Sequence, residues 1–219
     1  MKTKTEPIKV HHLLVMLLRL RQICCHPSLI RSMIDQETKS SEGIEENGED
    51  IDLISAMEDL DIAKPEKKDV LQLYILNSGN PVLEEMWLSS KVDLVLNEIQ
   101  GLIRKKEESK VIEKAVIVSQ WTSFLNIIKS HILNLNLTCA EINGQIPVKS
   151  RGDIVDDFNN NEKGAQVMLL SLTAGGVGLN LVGANHLFLM DMHWNPQLEI
   201  QASDRIYRVG QMKPVTIHR

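Results

Sequence analysis

From Ala115 onward the hydrophobic positions alternate between two kinds of stretch. Ala115–Ser119, Val167–Ser171 and residues 186–191 are short, nearly unbroken apolar runs, the pattern of strands buried on both faces. Between them lie helical periods. Trp121, Leu125, Ile128, Ile132 and Leu135 recur on one face, and Ile154, Val155 and Phe158 mark another over residues 148–159. Residues 138–142 are strand-like and end on the turn Asn143-Gly144, and a last strand begins at Val215. Asn195 and Pro196 make an N-cap and first-turn pair, opening a helix with Leu198, Ala202 and Ile206 as its buried stripe. This order predicts an α/β fold, a parallel sheet with helices on both faces.

The earlier part of the chain is different. Leu13, Leu17, Leu20 and Cys24 recur at helical spacing over residues 8–26, until Pro27 stops the pattern. Residues 35–88 then hold acidic text, SSEGIEENGEDID, expected to be a solvated, partly disordered insertion. Ser90-Lys91-Val92-Asp93 has the form of a capping box and opens a helix with Val92, Val95, Leu96, Ile99 and Ile103 on one face. Three segments follow: a helical element over 1–34, the insertion over 35–88, and an α/β domain over 89–219.

Composition adjusts this picture in a few places. Aromatic residues are 4% against 43% hydrophobic, so the core must be aliphatic. The net charge of −5 conceals an asymmetry, because residues 42–61 hold nine acids and no base; the remainder carries 24 bases against 20 acids. That modest positive balance suits a nucleic-acid backbone or a protein partner. Cys24, Cys25 and Cys139 cannot build a disulfide framework, which points to a reducing compartment. Neighbouring helical positions point about 100° apart, so Cys24, Cys25 and His26 make a poor chelate and no metal site is expected. No apolar run approaches the ~20 residues of a membrane span, and a soluble protein is predicted.

Candidate chemistry gathers at the carboxyl ends of the predicted strands, where ligands of such sheets bind. Gly175, Gly176 and Gly178 follow one strand, with Ser171, Thr173 and Asn180 beside them. Such a turn either serves the fold alone or lets backbone N–H groups approach a phosphate. It matches neither the Walker P-loop nor the dinucleotide fingerprint. Gln201, Arg205 and Arg208 fall at i, i+4, i+7 on the predicted helix. Two guanidinium groups one turn apart suit the charge of a transferring phosphoryl group, or they are surface arginines bridged to Glu199 or Asp204. Acid/base hydrolysis by His186 or His193 is conceivable, but histidines beside strands are more often packing or surface residues. With no P-loop lysine and no magnesium-binding acidic pair, the chain alone is not expected to turn over ATP.

These residues also carry a resemblance. SQWTSFL, the Asn143-Gly144 turn, LLSLTAGGVGLNL, DMHWNP and QASDRIYRVGQ resemble, in order and spacing, helicase motifs IV through VI of Snf2-type ATPases. LLRLRQICCHPSL is similar to the family's L-R-Q-x-C-x-H-P element, and SSKVDLVLNEI to the S-x-K helix that opens the second RecA-like lobe. The resemblance spans most of residues 13–34 and 89–219. Its WNP and GQ elements separate Snf2 proteins from DEAD-box helicases.

The resemblance implies the second lobe of an ATP-driven double-stranded DNA translocase, with ATP and Mg2+ held mainly by the first RecA-like lobe of the same protein. It implies that Arg205 and Arg208 reach the γ-phosphate and that Gln201 organises them. Gly176 and Gly178 would shape the turn between ATP and DNA, and Ser119, Gln120, Trp121, Ser171 and Thr173 would lie next to the DNA backbone. Tyr207 stands where most members have His. The branch with a zinc-binding RING insertion is excluded, because residues 34–90 contain no Cys or His. The ICCHPSL, FLMDMHWNP and DRIYRVGQ forms are most similar to the transcription termination factor 2 / Lodestar group. That group implies a nuclear, non-membrane protein that releases RNA polymerase II and its transcript from DNA. The alternatives are chromatin remodelling or DNA repair by the same motor, or a non-catalytic DNA- or protein-binding module that keeps the lobe fold.

Overall fold

Strand β1 (Ala115–Ser119) pairs in parallel with β3 (Val167–Ser171) on one side and β4 (His186–Leu189) on the other. With β2 (Cys139–Ile142) beyond β3 and β5 (Thr216–His218) beyond β4, the order is β2-β3-β1-β4-β5, all parallel. The computed structural model describes residues 10–31, 34, 79–109, 112–172, 174 and 178–219. Residues 35–78 of the acidic insertion, with its predicted disorder, lie outside the described residues. The chain divides into two compact units between Trp87 and Leu88.

Topology decides which helix covers which face. The β1→β2 connection steps one way along the sheet through α3 (Thr122–Asn134). The β2→β3 and β4→β5 connections step the other way, through α4 (Val148–Asn160) and α5 (Pro196–Ser203). Right-handed crossovers that step in opposite directions place their helices on opposite faces. The packing agrees. Val116, Val118, Met168, Leu170 and Leu187 share one core with Val155 and Phe158 of α4 and Ala202 of α5. On the other face α3 lies against β1, β2 and β3 with Phe124, Leu125, Ile127, Ile128 and Ile132 buried, and α2 (Ser90–Ser109) packs beside it. This is the RecA-like α/β lobe, with helices on both faces of a parallel sheet.

The apolar periods place the helices well and their phase less well. On α2 the buried side is Val92, Val95, Leu96, Ile99 and Leu102, so Leu102 takes the place expected for Ile103. The cap is also one residue earlier, since the Ser89 hydroxyl accepts from Val92 N at 3.4 Å. At the end of α3, Asn136 adopts a left-handed conformation (φ 58°) while Leu137 N bonds Ile132 O and Asn136 N bonds Leu133 O, a Schellman stop.

In the first unit, α1 (Val10–Cys25) is helical as expected, but Leu13, Leu17, Leu20 and Cys24 are exposed. The cause lies at its carboxyl end. Ile30, Ile34 and Leu83 form a small core with Ile23 against it, and the fully buried His26 closes that core. Its Nε2 meets the Trp87 carbonyl at 2.8 Å, which can only accept, so Nε2 carries the proton and Nδ1 accepts from Ser28 N at 3.2 Å. The helix is therefore phased by His26 and Ile23 and not by its leucine stripe.

One close approach fixes the loop before β4. Gly183 N donates to Asn159 Oδ1 at 2.9 Å, and a Cβ at Gly183 would stand 2.6 Å from the Asn159 Cα. Gly183→Ala is expected to cost about 1–3 kcal/mol, because α4 backbone has to move. Thermal unfolding checks this, and a melting temperature within a degree of the parent would show that the loop yields freely.

Candidate functional site

Three strand ends meet beside the centre of the sheet. The residues that leave β1 are Ser119, Gln120 and Trp121; Leu172 N bonds the Ser119 carbonyl at 2.9 Å, and Met190 N bonds the Val118 carbonyl at 3.0 Å. These backbone bonds extend the ladder to the very end of β1 and hold the segments after β3 and β4 alongside it. Ser119 and Ser171 are each only 1% exposed, so in this conformation they shape the strand ends and do not themselves face a ligand. Gln120 and Trp121 are half-buried, and Trp121 Nε1 is enclosed without a hydrogen-bond partner among the described residues. Thr173, Gly175 and Gly176 lie outside the described residues.

Asp191, just after β4, ties two of these ends together. Both of its carboxylate oxygens accept from Gln120 N at 3.2 Å. Lys91, in the first turn of α2, donates to the neighbouring Met190 carbonyl at 2.9 Å. Burial pushes the Asp191 carboxyl above its ordinary value, against the opposing pull of the Gln120 N–H, the Ser119 hydroxyl, the Gln120 side-chain amide and the Lys91 charge. The segment that follows is braced as well. His193 N donates to Glu199 Oε1 at 2.9 Å, Asn195 N to His193 Nδ1 at 3.0 Å, and the Asn195 side chain caps α5 by accepting from Gln197 N at 3.1 Å.

The arginines are placed differently from expectation. Helix α5 ends at Ser203, so Gln201 alone is helical, while Arg205 and Arg208 sit in the tight turns that follow. The reason is local: Arg205 N and Ile206 N bond back three residues, and the Arg205 carbonyl is taken by Leu181 N at 2.9 Å. The single polar column predicted for Gln201, Arg205 and Arg208 is thereby replaced by a curved arrangement. Gln201 and Arg205 line one small cleft with Val118, Leu170, Leu172, Leu198 and Ala202. Arg208 Nη1 points to the Gly178 carbonyl at 3.4 Å, and an added Cβ on Gly178 would meet Arg205 Nη1 at 3.9 Å. The structure thus brings Gly178, Arg205 and Arg208 together.

Among the described residues neither guanidinium forms an ion pair. Glu199, one proposed bridge, is buried and engaged with His193 N. Burial and then the neighbouring Arg208 charge lower the Arg205 pKa, with Asp204 opposing. A partly buried cation held beside a like charge is a costly arrangement that an anion would relieve.

Two side chains that the apolar periods concealed support the site. Arg151 is buried on α4, in phase with Val155 and Phe158, and donates only to backbone carbonyls: Ile146 at 3.0 Å, Ala174 at 3.0 Å and Asn143 at 3.2 Å. It ties the turn after β2 to the segment after β3. Gln211 Nε2 reaches the carbonyls of Ala184 at 2.7 Å and Val182 and Ile206 at 3.2 Å, locking the loop before β4 to the turn that carries the arginines. The phase of Arg151 within an apolar stripe was a usable signal; nothing in the sequence marks the reach of Gln211.

Ionisation of Asp191 has a definite sign for stability. Its folded pKa is raised, so its contribution to stability is full below the unfolded value and is lost as pH rises through the folded one. Asp191→Asn is therefore expected to gain melting temperature relative to the parent as pH is taken from about 4 to neutrality. A difference that stays constant or shrinks over that range would contradict the buried-charge cost.

Comparison with known proteins adds to the geometry. The family model described as helicase conserved C-terminal domain matches residues 90–210. Transcription termination factor 2 of Drosophila melanogaster is 43% identical over 98% of the chain and 22% of its own length. DNA repair and recombination protein RAD54B of Mus musculus is 34% identical over 91% of the chain and 20% of its own length. The chain thus spans about a fifth of the length of these relatives. Among solved structures, the crystal structure of the C-terminal part of the Fun30 ATPase domain aligns with a TM-score of 0.58 at 25% identity, over 92% of this chain and 65% of that one.

Proposed function

We propose that this chain, which belongs to the helicase conserved C-terminal domain family and is the second RecA-like lobe of a Snf2-type ATPase, completes an ATP site in trans and drives movement on double-stranded DNA. One observation carries the reading. Arg205 and Arg208 stand together beside Gly178 at the open end of the sheet, and no carboxylate among the described residues pairs with either. A triphosphate supplies the missing negative charge, and ATP with Mg2+ is the group that fits. The described residues offer no set of three acidic, His or Cys side chains for a metal, so this reading assigns Mg2+ to the first lobe.

In this reading Arg205 and Arg208 neutralise charge that grows on the transferring phosphoryl group. The nucleotide supplies the bond that is cleaved; this lobe supplies the cations and their orientation. Gln201 shares the Arg205 cleft and orients that side chain, and Arg208 is steered by the Gly178 carbonyl. The turn through Gln120 and Trp121, where the enclosed Trp121 Nε1 has no partner among the described residues, is the surface offered to DNA phosphates, and Ser119 and Ser171 support it from beneath. The greater likeness to transcription termination factor 2 than to RAD54B favours release of RNA polymerase II and its transcript, in the nucleus, over DNA repair as the use of this motion.

Arg205→Ala and Arg208→Ala in the full-length protein are each expected to lower DNA-stimulated ATP turnover about 10³-fold or more while ATP binding persists. Parental turnover in either variant would leave only a binding module that keeps the lobe fold. Duplex binding by the full-length protein should weaken steeply as salt rises, and binding indifferent to salt would exclude backbone contact.

A further inference from the structure

Resting on the DNA-translocase reading, we propose that Asp191 is a positioning residue that latches the DNA-facing turn Gln120–Trp121 to the segment feeding the arginine turn, and so sets how ATP turnover responds to DNA. The latch is built at the adjoining ends of β1 and β4. The two Asp191 oxygens hold one N–H, that of Gln120, each at 3.2 Å, and the Ser119 hydroxyl accepts from Trp121 N at 3.0 Å. From the other side Lys91 fixes Met190 through its carbonyl at 2.9 Å. Past Asp191 the chain is braced by Glu199 and His193 up to the Asn195 cap, and then runs through α5 to Arg205. Displacement of the Gln120 turn therefore pulls on a short, hydrogen-bonded path whose far end bears the guanidinium groups.

Two further features mark the latch as more than a fold contact. Trp121 Nε1 is enclosed yet lacks a partner among the described residues, so the turn is held in a conformation that leaves a donor unsatisfied. A phosphate oxygen that drew this donor out would pull on the turn that Asp191 holds, and the Asp191 bonds pass that pull to the segment after β4. The carboxylate is also expensive to keep. Burial raises its pKa, which means that the ionised latch lowers stability at neutral pH. A side chain that taxes the fold while holding a ligand-facing turn is what a coupling role requires. The charged groups facing it are Lys91, from α2, and no other charged side chain of the described residues is coupled to it.

The test uses full-length protein and duplex DNA, measuring ATPase without DNA and against DNA concentration for the parent, Asp191→Ala, Asp191→Asn and Arg205→Ala. The alanine variant loses the acceptor of the Gln120 N–H. Its half-saturating DNA concentration is expected to rise about tenfold, the size of one lost charge-assisted hydrogen bond. Its DNA-independent turnover and its KM for ATP should stay within about twofold of the parent, since ground-state ATP binding is untouched. Asparagine keeps an acceptor oxygen, so it should restore much of the DNA response and melt no lower than the parent at neutral pH. A parental DNA response in Asp191→Ala overturns the latch, as does an equal loss with and without DNA, which would mean a merely structural role. A parent that DNA does not stimulate, or an Arg205→Ala variant with full turnover, overturns the translocase reading itself and the latch with it.

Discussion

Strand β1 is hydrogen-bonded along both edges, to β3 and β4, and all five of its residues are buried. Parallel strands in this position are sealed on both faces by the helices of their own crossovers. Buried polar groups are consequently driven to the strand ends: Lys114, Asn185 and His186 where strands begin, and Ser119, Ser171 and Asp191 where they run out. The ladder bonds of Leu172 and Met190 to β1 carry the pairing right to that edge. Leu172 and Met190 are thereby held beside the end of β1, and small side chains such as Ser119 and Ser171 sit there as buried supports.

At that end of the sheet the charges are arranged against electrostatic ease. Two arginines stand together without an ion-pair partner among the described residues, while Asp191 is buried and directed at a backbone N–H. A lobe selected for stability alone would pair these charges. Their separation leaves cations free for an anion from outside and leaves an acceptor free to hold a turn. Arg151 and Gln211 donate to backbone carbonyls, so that loops are tied without a carboxylate partner for either side chain.

Much of this was legible from the chain. The strands Ala115–Ser119 and Val167–Ser171 were placed to the residue, because an unbroken apolar run between polar neighbours has few other meanings in an alternating fold. The Asn195-Pro196 start of α5 was equally plain, since its cap chemistry is local. The failures share a cause of the opposite kind. The leucine stripe of α1, the end of α5 at Ser203 and the burial of Ser119 are decided by groups far away in sequence: the Trp87 carbonyl for His26, Leu181 N for Arg205, and Asp191 for the Gln120 turn. Helical periodicity reports which face of a helix is apolar, and it cannot report which long-range partner will rotate or stop that helix. Residue type and spacing single out Arg205 and Arg208 on a straight helical column; the helix stops at Ser203, and the turns that follow still bring both side chains beside Gly178.

The central claim is that the Arg205–Arg208 pair is an unfinished half-site, completed by phosphate from another lobe. Its most direct measurement is a cryo-electron microscopy map of the full-length protein on duplex DNA with ADP and beryllium fluoride. The expected result is both guanidinium groups within hydrogen-bond distance of the fluoride or β-phosphate oxygens, with Gly178 between them. A closed, nucleotide-filled map in which either arginine is instead paired to a protein carboxylate, or turned away from the nucleotide, would contradict it.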